Sequence, residues 1–352
     1  MHFAPTDEQL ALADAVRAPL AAGDWEALAE IGVFAAFTEL GLAETDLVGV
    51  LEAAGYAAIA EPFSATAFVA APLLAAIGDA RGTDGSRIAL AGPHGLAPFG
   101  AKADWILHLD ERTARLGAAA GASVSAVDNS LSLAYSTGAD MLTDDVALVR
   151  IAHLRAGIAL AAELVGVGRR MLDLTVAYVK QRRQFGVPVG SFQAVKHQLA
   201  DVLLGLEFAG PEVLAAAWAV EHDRAARHAV HAHPTADARH AVHAHPTAAA
   251  RQTGHSRPTA DARQAADDTW HGGGGRPGVD AQQAVDAAVV LAAEASHRAG
   301  RVAVQCHGAI GYTVEYELHR YLKRGWALEA LADTGRRLDR LAASLDLPGE
   351  RP

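Results

Sequence analysis

A chain of 352 residues, 51% hydrophobic and only 6% aromatic, is long enough to bury a large core and to divide into two or three domains. Its net charge of −11 excludes an extended basic field, so neither nucleic acid nor an anionic bilayer is expected as the main partner, and any anion must be held locally. A single cysteine, Cys306, excludes an internal disulfide, and with no leader pattern and no unbroken apolar run of membrane length the expectation is a cytoplasmic protein without a membrane span.

Thr6 and Gln9 have capping-box spacing, and Leu10, Leu12, Val16 and Leu20 follow on one helical face. Trp25, Leu28, Ile31 and Phe34 mark a second helix, Leu47, Val50, Leu51 and Ala54 a third, and Ala65 to Ile77 a fourth that is apolar nearly throughout. These predict a helical domain over residues 1–82. From 83 to 145 short runs are separated by Gly, Pro, Asp and Asn, which predicts a small β domain with strands at Arg87–Ala91, Trp105–Leu109, Ser123–Val127 and Leu131–Tyr135. Residues 146–352 return to helix. Leu154, Ile158, Ala162, Val165, Leu172 and Val176 give one long helix an apolar stripe that runs down to Arg182 and Arg183, where Gly186 and Pro188 stop it. Ser191 stands where the next N-cap belongs, and Val195, Leu199, Val202 and Leu206 supply the buried face of the helix that follows.

Residues 223–279 interrupt this pattern with a twelve-residue repeat: RHAVHAHPTADA from Arg227, RHAVHAHPTAAA from Arg239 and RQTGHSRPTADA from Arg251. A proline in each unit forbids a continuous helix and no apolar face recurs, so a mobile insertion is expected. Its histidines, His228, His231 and His233 with His240, His243 and His245, offer imidazoles to a divalent metal. A repeat expansion tolerated on a surface loop is the preferred reading, and no metal site is assigned.

Two segments carry chemistry. Gln181 to Asp201, QRRQFGVPVGSFQAVKHQLAD, joins a cationic helix end, an aromatic turn and a second helix, a combination suited to phosphates and a flat ring. On its own the arginine pair also has a plain structural reading, as cations complementing the negative end of a helix dipole. Gln305 to Tyr312, QCHGAIGY, precedes a charged helix expected over Glu315–Leu331. Together the two segments resemble the C-terminal domain of the acyl-CoA dehydrogenase family, with its R-x-Q-F-G-x-P-x-G-x-F-Q and Q-x-H-G-G-x-G-Y signatures. The likeness is close over about 156–210 and 284–331 and loose in the N-terminal half.

The resemblance implies a mainly α fold with a small β domain: an N-terminal helical domain, a middle β domain and a C-terminal four-helix bundle. It implies FAD as cofactor and an acyl-CoA thioester as substrate, with a carboxylate removing the α-proton while hydride leaves Cβ for the flavin. Arg182, Gln184, Phe185 and Gln193 would lie against the FAD pyrophosphate and adenine, Gln305, Gly308 and Ala309 would form a second contact, and Thr334 would touch the flavin. In the family the first two groups reach the cofactor of a neighbouring subunit, which implies a homo-oligomer or a hetero-oligomer with a paralogous chain.

The departures from the pattern are equally specific. Ala309 replaces a usual glycine. The family's basic Glu falls at Ala332, which leaves the adjacent Asp333 as the candidate base, and its alternative position in the helix before the arginine motif falls near Ala156. Glu163, Glu315, Glu317 and Glu329 read as charges on solvated helix faces. No W-x-[ST] or T-x-S segment marks a flavin cradle in the β domain. These features imply an acyl-CoA dehydrogenase-family chain that serves as the base-lacking subunit of a two-chain enzyme. The alternatives are a non-catalytic relative and a flavin monooxygenase on the same fold.

Overall fold

The computed structural model describes residues 4–92, 94–120, 123–231 and 280–345, with backbone alone for 224–231. The described residues up to Arg224 and from Asp280 onward belong to one compact unit. The expected mobile insertion and its histidines lie outside the residues whose side chains are described.

The helical domain begins with α1 (Asp7–Ala22), held by the expected capping box: Thr6 Oγ1 accepts from the Gln9 amide at 3.2 Å and Gln9 Oε1 from the Thr6 amide at 3.0 Å. Next come α2 (Trp25–Ile31) and α3 (Glu44–Ala57), then a π-helical stretch Ala65–Ala70 running into α4 (Ala71–Ala76). Phe34, expected in the second helix, lies beyond it, because Gly32 at φ 86° ends α2 and starts a 3-10 turn.

The sheet has the order β1 (Ile88–Leu90), β2 (Trp105–Leu109), β3 (Ala114–Ala119), β4 (Ser136–Thr143), with β1 and β2 parallel and the remaining pairs antiparallel. The first two match expectation and the last two replace it. Ser123–Val127 and Leu131–Tyr135 contribute only isolated bridges, Val124 to Leu133 and Ala97 to Ala134. β3 is rich in alanine, and β4 is a polar, largely exposed edge, so neither shows the apolar alternation that marks a strand in sequence. At their bulge a Cβ on Gly117 would stand 1.9 Å from the Gly138 carbonyl oxygen, an approach that only glycine permits.

The bundle consists of α5 (Val146–Gln181), α6 (Gln193–His231), α7 (Ala281–His307), α8 (Leu318–Ala332) and α9 (Thr334–Ser344). Leu154, Ile158, Ala162, Val165 and Leu172 of the α5 stripe are buried and Val176 is partly so, and Val202 and Leu206 bury the face of α6. Ser191 is not a cap: it sits in a 3-10 turn with its hydroxyl donating to the Pro188 carbonyl at 2.7 Å, and α6 starts two residues later. α8 begins at Leu318, three residues after the expected Glu315. One apolar core joins α1 and α3 to α5, α6, α7 and α8, while a smaller cluster packs the sheet against α4 and the first turns of α5.

α3 and α5 cross with their backbones in contact. A Cβ on Gly55 would stand 2.2 Å from the Glu163 carbonyl oxygen, and one on Gly166 would stand 2.0 Å from that of Glu52. The paired glycines therefore set the height of α5 against the helical domain. Near one end of α5 the buried pair Arg155 and Glu44, 2.7 Å apart, ties the same two helices, with Phe37 under the guanidinium.

Residues 193–223 correct one expectation. No unbroken apolar run has membrane length, yet by average composition this stretch of α6 is long and apolar enough to cross a bilayer. Val202, Leu206, Ala209 and Val213 commit one face to the bundle core, and Leu203, Leu204 and Phe208 leave the other apolar and exposed.

Candidate functional site

A cleft of about 680 Å³ opens where the helical domain, the sheet and the bundle meet. Phe63, Val69, Leu90, Phe99, Leu160 and Leu331 give it apolar walls. On α5, Ala156, Leu160 and Glu163 recur at the four- and three-residue spacing of one helical face, so the backbone aims Glu163 into the same space as its apolar neighbours.

Glu163 is half-buried and lines the cleft. Burial pushes its carboxyl up from the usual carboxylate range, and the Ser64 hydroxyl and the Arg324 charge pull the other way. Each nitrogen of Arg324 is itself engaged. Its Nε donates to Asp128 at 2.7 Å, Nη1 to the Ile59 carbonyl at 2.8 Å and Nη2 to Ser130 at 2.8 Å, while Phe99 lies 5.1 Å from the guanidinium. One buried arginine on α8 thus pins the loop before β4 and the end of the helical domain around the carboxyl. The expectation that Glu163 occupies a solvated face is overturned, because α3 and the segment after it cover that side of α5. A carboxylate inside the run IALAAELVG, flanked by the buried Ala162 and Leu164, was the available signal.

The residues of the two signature segments gather at the other end of α5. Arg182 caps that helix, and its amide donates to the Tyr178 carbonyl at 2.9 Å. Gln184 pairs with Val187 in a two-stranded hairpin of β5 (Arg183–Gln184) and β6 (Val187–Pro188), with Phe185 at its tip at φ 51° and 92% exposed. Gln193 opens α6, and its Nε2 lies 3.2 Å from His197 Nε2. Gln305 is exposed near the end of α7, Gly308 turns at φ 63°, and Ala309 is exposed in the 3-10 turn beyond.

A stack of rings joins the segments. Tyr178, one turn before Arg182, lies 4.2 Å from His307, and Tyr316 closes on His307 at 4.9 Å. His307 Nδ1 is 2.7 Å from the Ala303 carbonyl, and burial pushes its pKa down against the pull of that hydrogen bond. Cys306 beside it is half-buried, and burial pushes its thiol up.

Asp333 and Thr334 do not belong to that end. Asp333 is exposed in the left-handed conformation at φ 43° between α8 and α9, outside the cleft wall, while Ala332 is buried. The exposed Glu315 and Glu317 and the half-buried Glu329 stay on the surface, Glu317 paired with Arg170 at 3.1 Å and Glu329 with His297 at 3.0 Å. Among the described residues no cluster of three or more His, Cys, Asp or Glu has metal-binding geometry.

Residues 144–256 match the profile of the acyl-CoA dehydrogenase C-terminal domain. Over these residues the chain resembles the acyl-CoA dehydrogenase family. Among curated members it is 30% identical over 181 residues to the acyl-CoA dehydrogenase IpdE2 of Mycobacterium tuberculosis, covering 51% of this chain and 38% of that one. It is 45% identical over 67 residues to the probable acyl-CoA dehydrogenase YngJ of Bacillus subtilis, covering 19% and 18%. The alignments therefore span well under half of these relatives. The fold extends further than the sequence likeness. The ChsE4-ChsE5 complex from Mycobacterium tuberculosis contains a chain that superposes with a TM-score of 0.70 at 20% identity, over 99% of this chain and all of that one. Butyryl-CoA dehydrogenase from Megasphaera elsdenii gives 0.67 at 17% identity, over 98% and 100%. The acyl-CoA dehydrogenase fold, mainly α with a small β region, is thus present along the described chain.

Proposed function

We propose that the protein takes part in FAD-dependent α,β-dehydrogenation of an acyl-CoA thioester, as one chain of an assembly in which a neighbour completes the cofactor site. One observation carries this: Glu163, a carboxyl with a raised pKa, faces an apolar cleft of the volume that small-molecule sites have. Such a carboxylate accepts a proton from the α-carbon of a thioester, and exclusion of water keeps the developing charge from being quenched. Bound FAD would supply the acceptor for the hydride leaving Cβ. Glu163 ends the step as a neutral acid, the form that burial already favours, and Arg324 keeps the ionised form accessible beforehand. Glu163 thus stands in for the carboxylate that Ala332 lacks.

Spacing along α5 supports the second chain. Glu163 and Arg182 are nineteen residues apart, about 28 Å along the axis, longer than the reach from a flavin ring to its own pyrophosphate. The arginine, amide and aromatic groups at the Arg182 end suit a dinucleotide's phosphates and adenine: they are exposed, and at the Gly308 turn a Cβ would meet nothing within 4 Å. Arg182, Gln184, Phe185, Gln193, Gln305 and Ala309 would hold the cofactor whose ring lies in the neighbour's cleft. The exposed Leu203, Leu204 and Phe208 on α6 support a covered face nearby. A paralogous acyl-CoA dehydrogenase chain or a second copy would provide it.

Anaerobic titration with acyl-CoA, followed by flavin absorbance, tests the proposal on the chain alone and co-expressed with a paralogue. Bleaching is expected in the complete assembly, with Glu163→Gln slowing it by about 10²- to 10⁴-fold. Full-rate bleaching by the Gln variant would return the base to the partner chain. A colourless assembly would favour a non-catalytic relative.

A further inference from the structure

The two signature segments are joined by three aromatic rings that the dehydrogenase reading leaves without a role. The His307 ring stacks on Tyr178 of α5 at 4.2 Å and 24°, Tyr316 packs on His307 at 4.9 Å, and Tyr178 and Tyr316 close the triangle edge-on at 6.0 Å. Two of these rings adjoin residues assigned above to the dinucleotide. Tyr178 lies one turn before Arg182, whose amide its carbonyl accepts at 2.9 Å, while His307 follows Gln305 by two residues and directly precedes Gly308.

Each side of the stack is tied down. The Arg182 carbonyl accepts from the Val189 amide at 2.7 Å, and a Cβ on Gly190 would stand 3.1 Å from Val179 Cγ2, so the hairpin carrying Gln184 and Phe185 folds back on the turn of α5 that carries Tyr178. A Cβ on Gly311 would stand 3.0 Å from His307 Cβ, which seats the glycine turn on the histidine. Tyr316 is held by its neighbours: Glu317 pairs with Arg170 of α5 at 3.1 Å, and His319 Nδ1 lies 2.9 Å from the Tyr316 carbonyl. His307 is only 5% exposed. Its Nδ1 meets the Ala303 carbonyl, but its buried Nε2 has no hydrogen-bond partner among the described residues, so this position uses the faces of the ring more than its outer edge.

We infer that His307 is a positioning residue for the dinucleotide: clasped between Tyr178 and Tyr316, its ring fixes the glycine turn against the end of α5, so that Arg182 and Gln305 engage one cofactor together. The inference rests on the reading of Arg182 and Gln305 as cofactor contacts and adds the side chains that set their spacing. His307 acts through them, being too deeply buried to touch a ligand itself. The gain is preorganisation. Arg182 and Gln305 are both exposed on different helix ends, and without the clasp binding would bear the cost of ordering one against the other.

Fluorescence titration of FAD into the flavin-free, full-length assembly tests this. His307→Ala should weaken binding roughly tenfold, the scale of one or two lost aromatic pairs, while His307→Phe, which keeps a ring between the tyrosines, should stay within about twofold of the unaltered protein. Arg182→Ala should cost less in the His307→Ala background than in the unaltered protein, because a contact already out of place has less to lose. Three results would overturn the inference: no loss in His307→Ala, a Phe variant as weak as the Ala variant, or losses for Arg182 and His307 that simply multiply. Urea unfolding establishes that each variant is folded under the titration conditions. If His307→Ala is not, Tyr316→Leu removes a flanking ring instead and carries the same expectations of weaker binding and reduced cost for Arg182→Ala. Unchanged FAD affinity in both Arg182→Ala and Gln305→Ala would remove the cofactor reading itself, a result distinct from working contacts whose losses multiply.

Discussion

Replacing Gly166 by alanine probes the helix crossing that holds Glu163 in place. The new Cβ would stand 2.0 Å from the Glu52 carbonyl oxygen and 2.6 Å from the Tyr56 amide nitrogen, where ordinary contact begins at 3.4 Å. Both neighbours are backbone atoms of α3 and cannot swing aside, so the helices must part by more than an ångström. Overpacking of this kind costs about 1–3 kcal/mol, and the better helix propensity of alanine returns up to about 1 kcal/mol. The expected net loss is about 1–2 kcal/mol. Gly205→Ala is the matched control, since its Cβ would meet Ala295 Cβ at 3.6 Å without a clash and should gain up to about 1 kcal/mol. Urea unfolding followed by far-UV circular dichroism at fixed protein concentration measures both. The Gly166 variant should also bind acyl-CoA more weakly, because the second contact of the crossing is the backbone of Glu163 itself. Midpoints that rise together for the two variants would refute the crossing as the constraint.

Other outcomes follow from the charged groups. Because burial raises the Glu163 pKa, the folded protein keeps this proton where the unfolded chain releases it. Stability from this group is complete below the ordinary value of 4.5 and is lost as pH rises through the raised one. Glu163→Gln should therefore gain on the unaltered protein as pH climbs from about 4.5, and a stability difference independent of pH would count against a perturbed carboxyl. Burial also pushes the Asp128 carboxyl up, but Arg324 and Ser130 outweigh it and hold the value below the usual range. This contribution is present above the ordinary carboxyl value and lost as pH falls through the depressed one. Asp128→Ala, which strands a buried guanidinium, should cost about 3–5 kcal/mol in denaturant unfolding, and adding Arg324→Met should recover part of it. Arg182→Ala should weaken FAD retention in the assembly by roughly tenfold, the lower end for a lost charged hydrogen bond, as read from the fraction of flavin kept through gel filtration. Unchanged retention would separate Arg182 from the cofactor.

The helices were legible in the sequence because periodicity, caps and breakers are local. Leu154 to Val176 announces α5, Thr6 with Gln9 starts α1, and the arginine and glycine-turn segments mark the family without reference to anything distant. The net charge of −11 spoke only against an extended basic field. β3 and β4 stayed hidden since Ala114–Ala119 and Ser136–Thr143 become strands only by pairing with each other and with β2, through hydrogen bonds that leave no side-chain pattern. Glu163 was hidden for a related reason. Charge and helical position say that a carboxylate sits on α5, but whether that face meets water or a cleft depends on the crossing at Gly55 and Gly166 and on Arg324, 161 residues later, drawing its loop over the site. Desolvation is a property of what surrounds a group, so tertiary packing decided that Glu163 has a perturbed proton affinity, while the residues proposed to hold a dinucleotide were read in order along the chain.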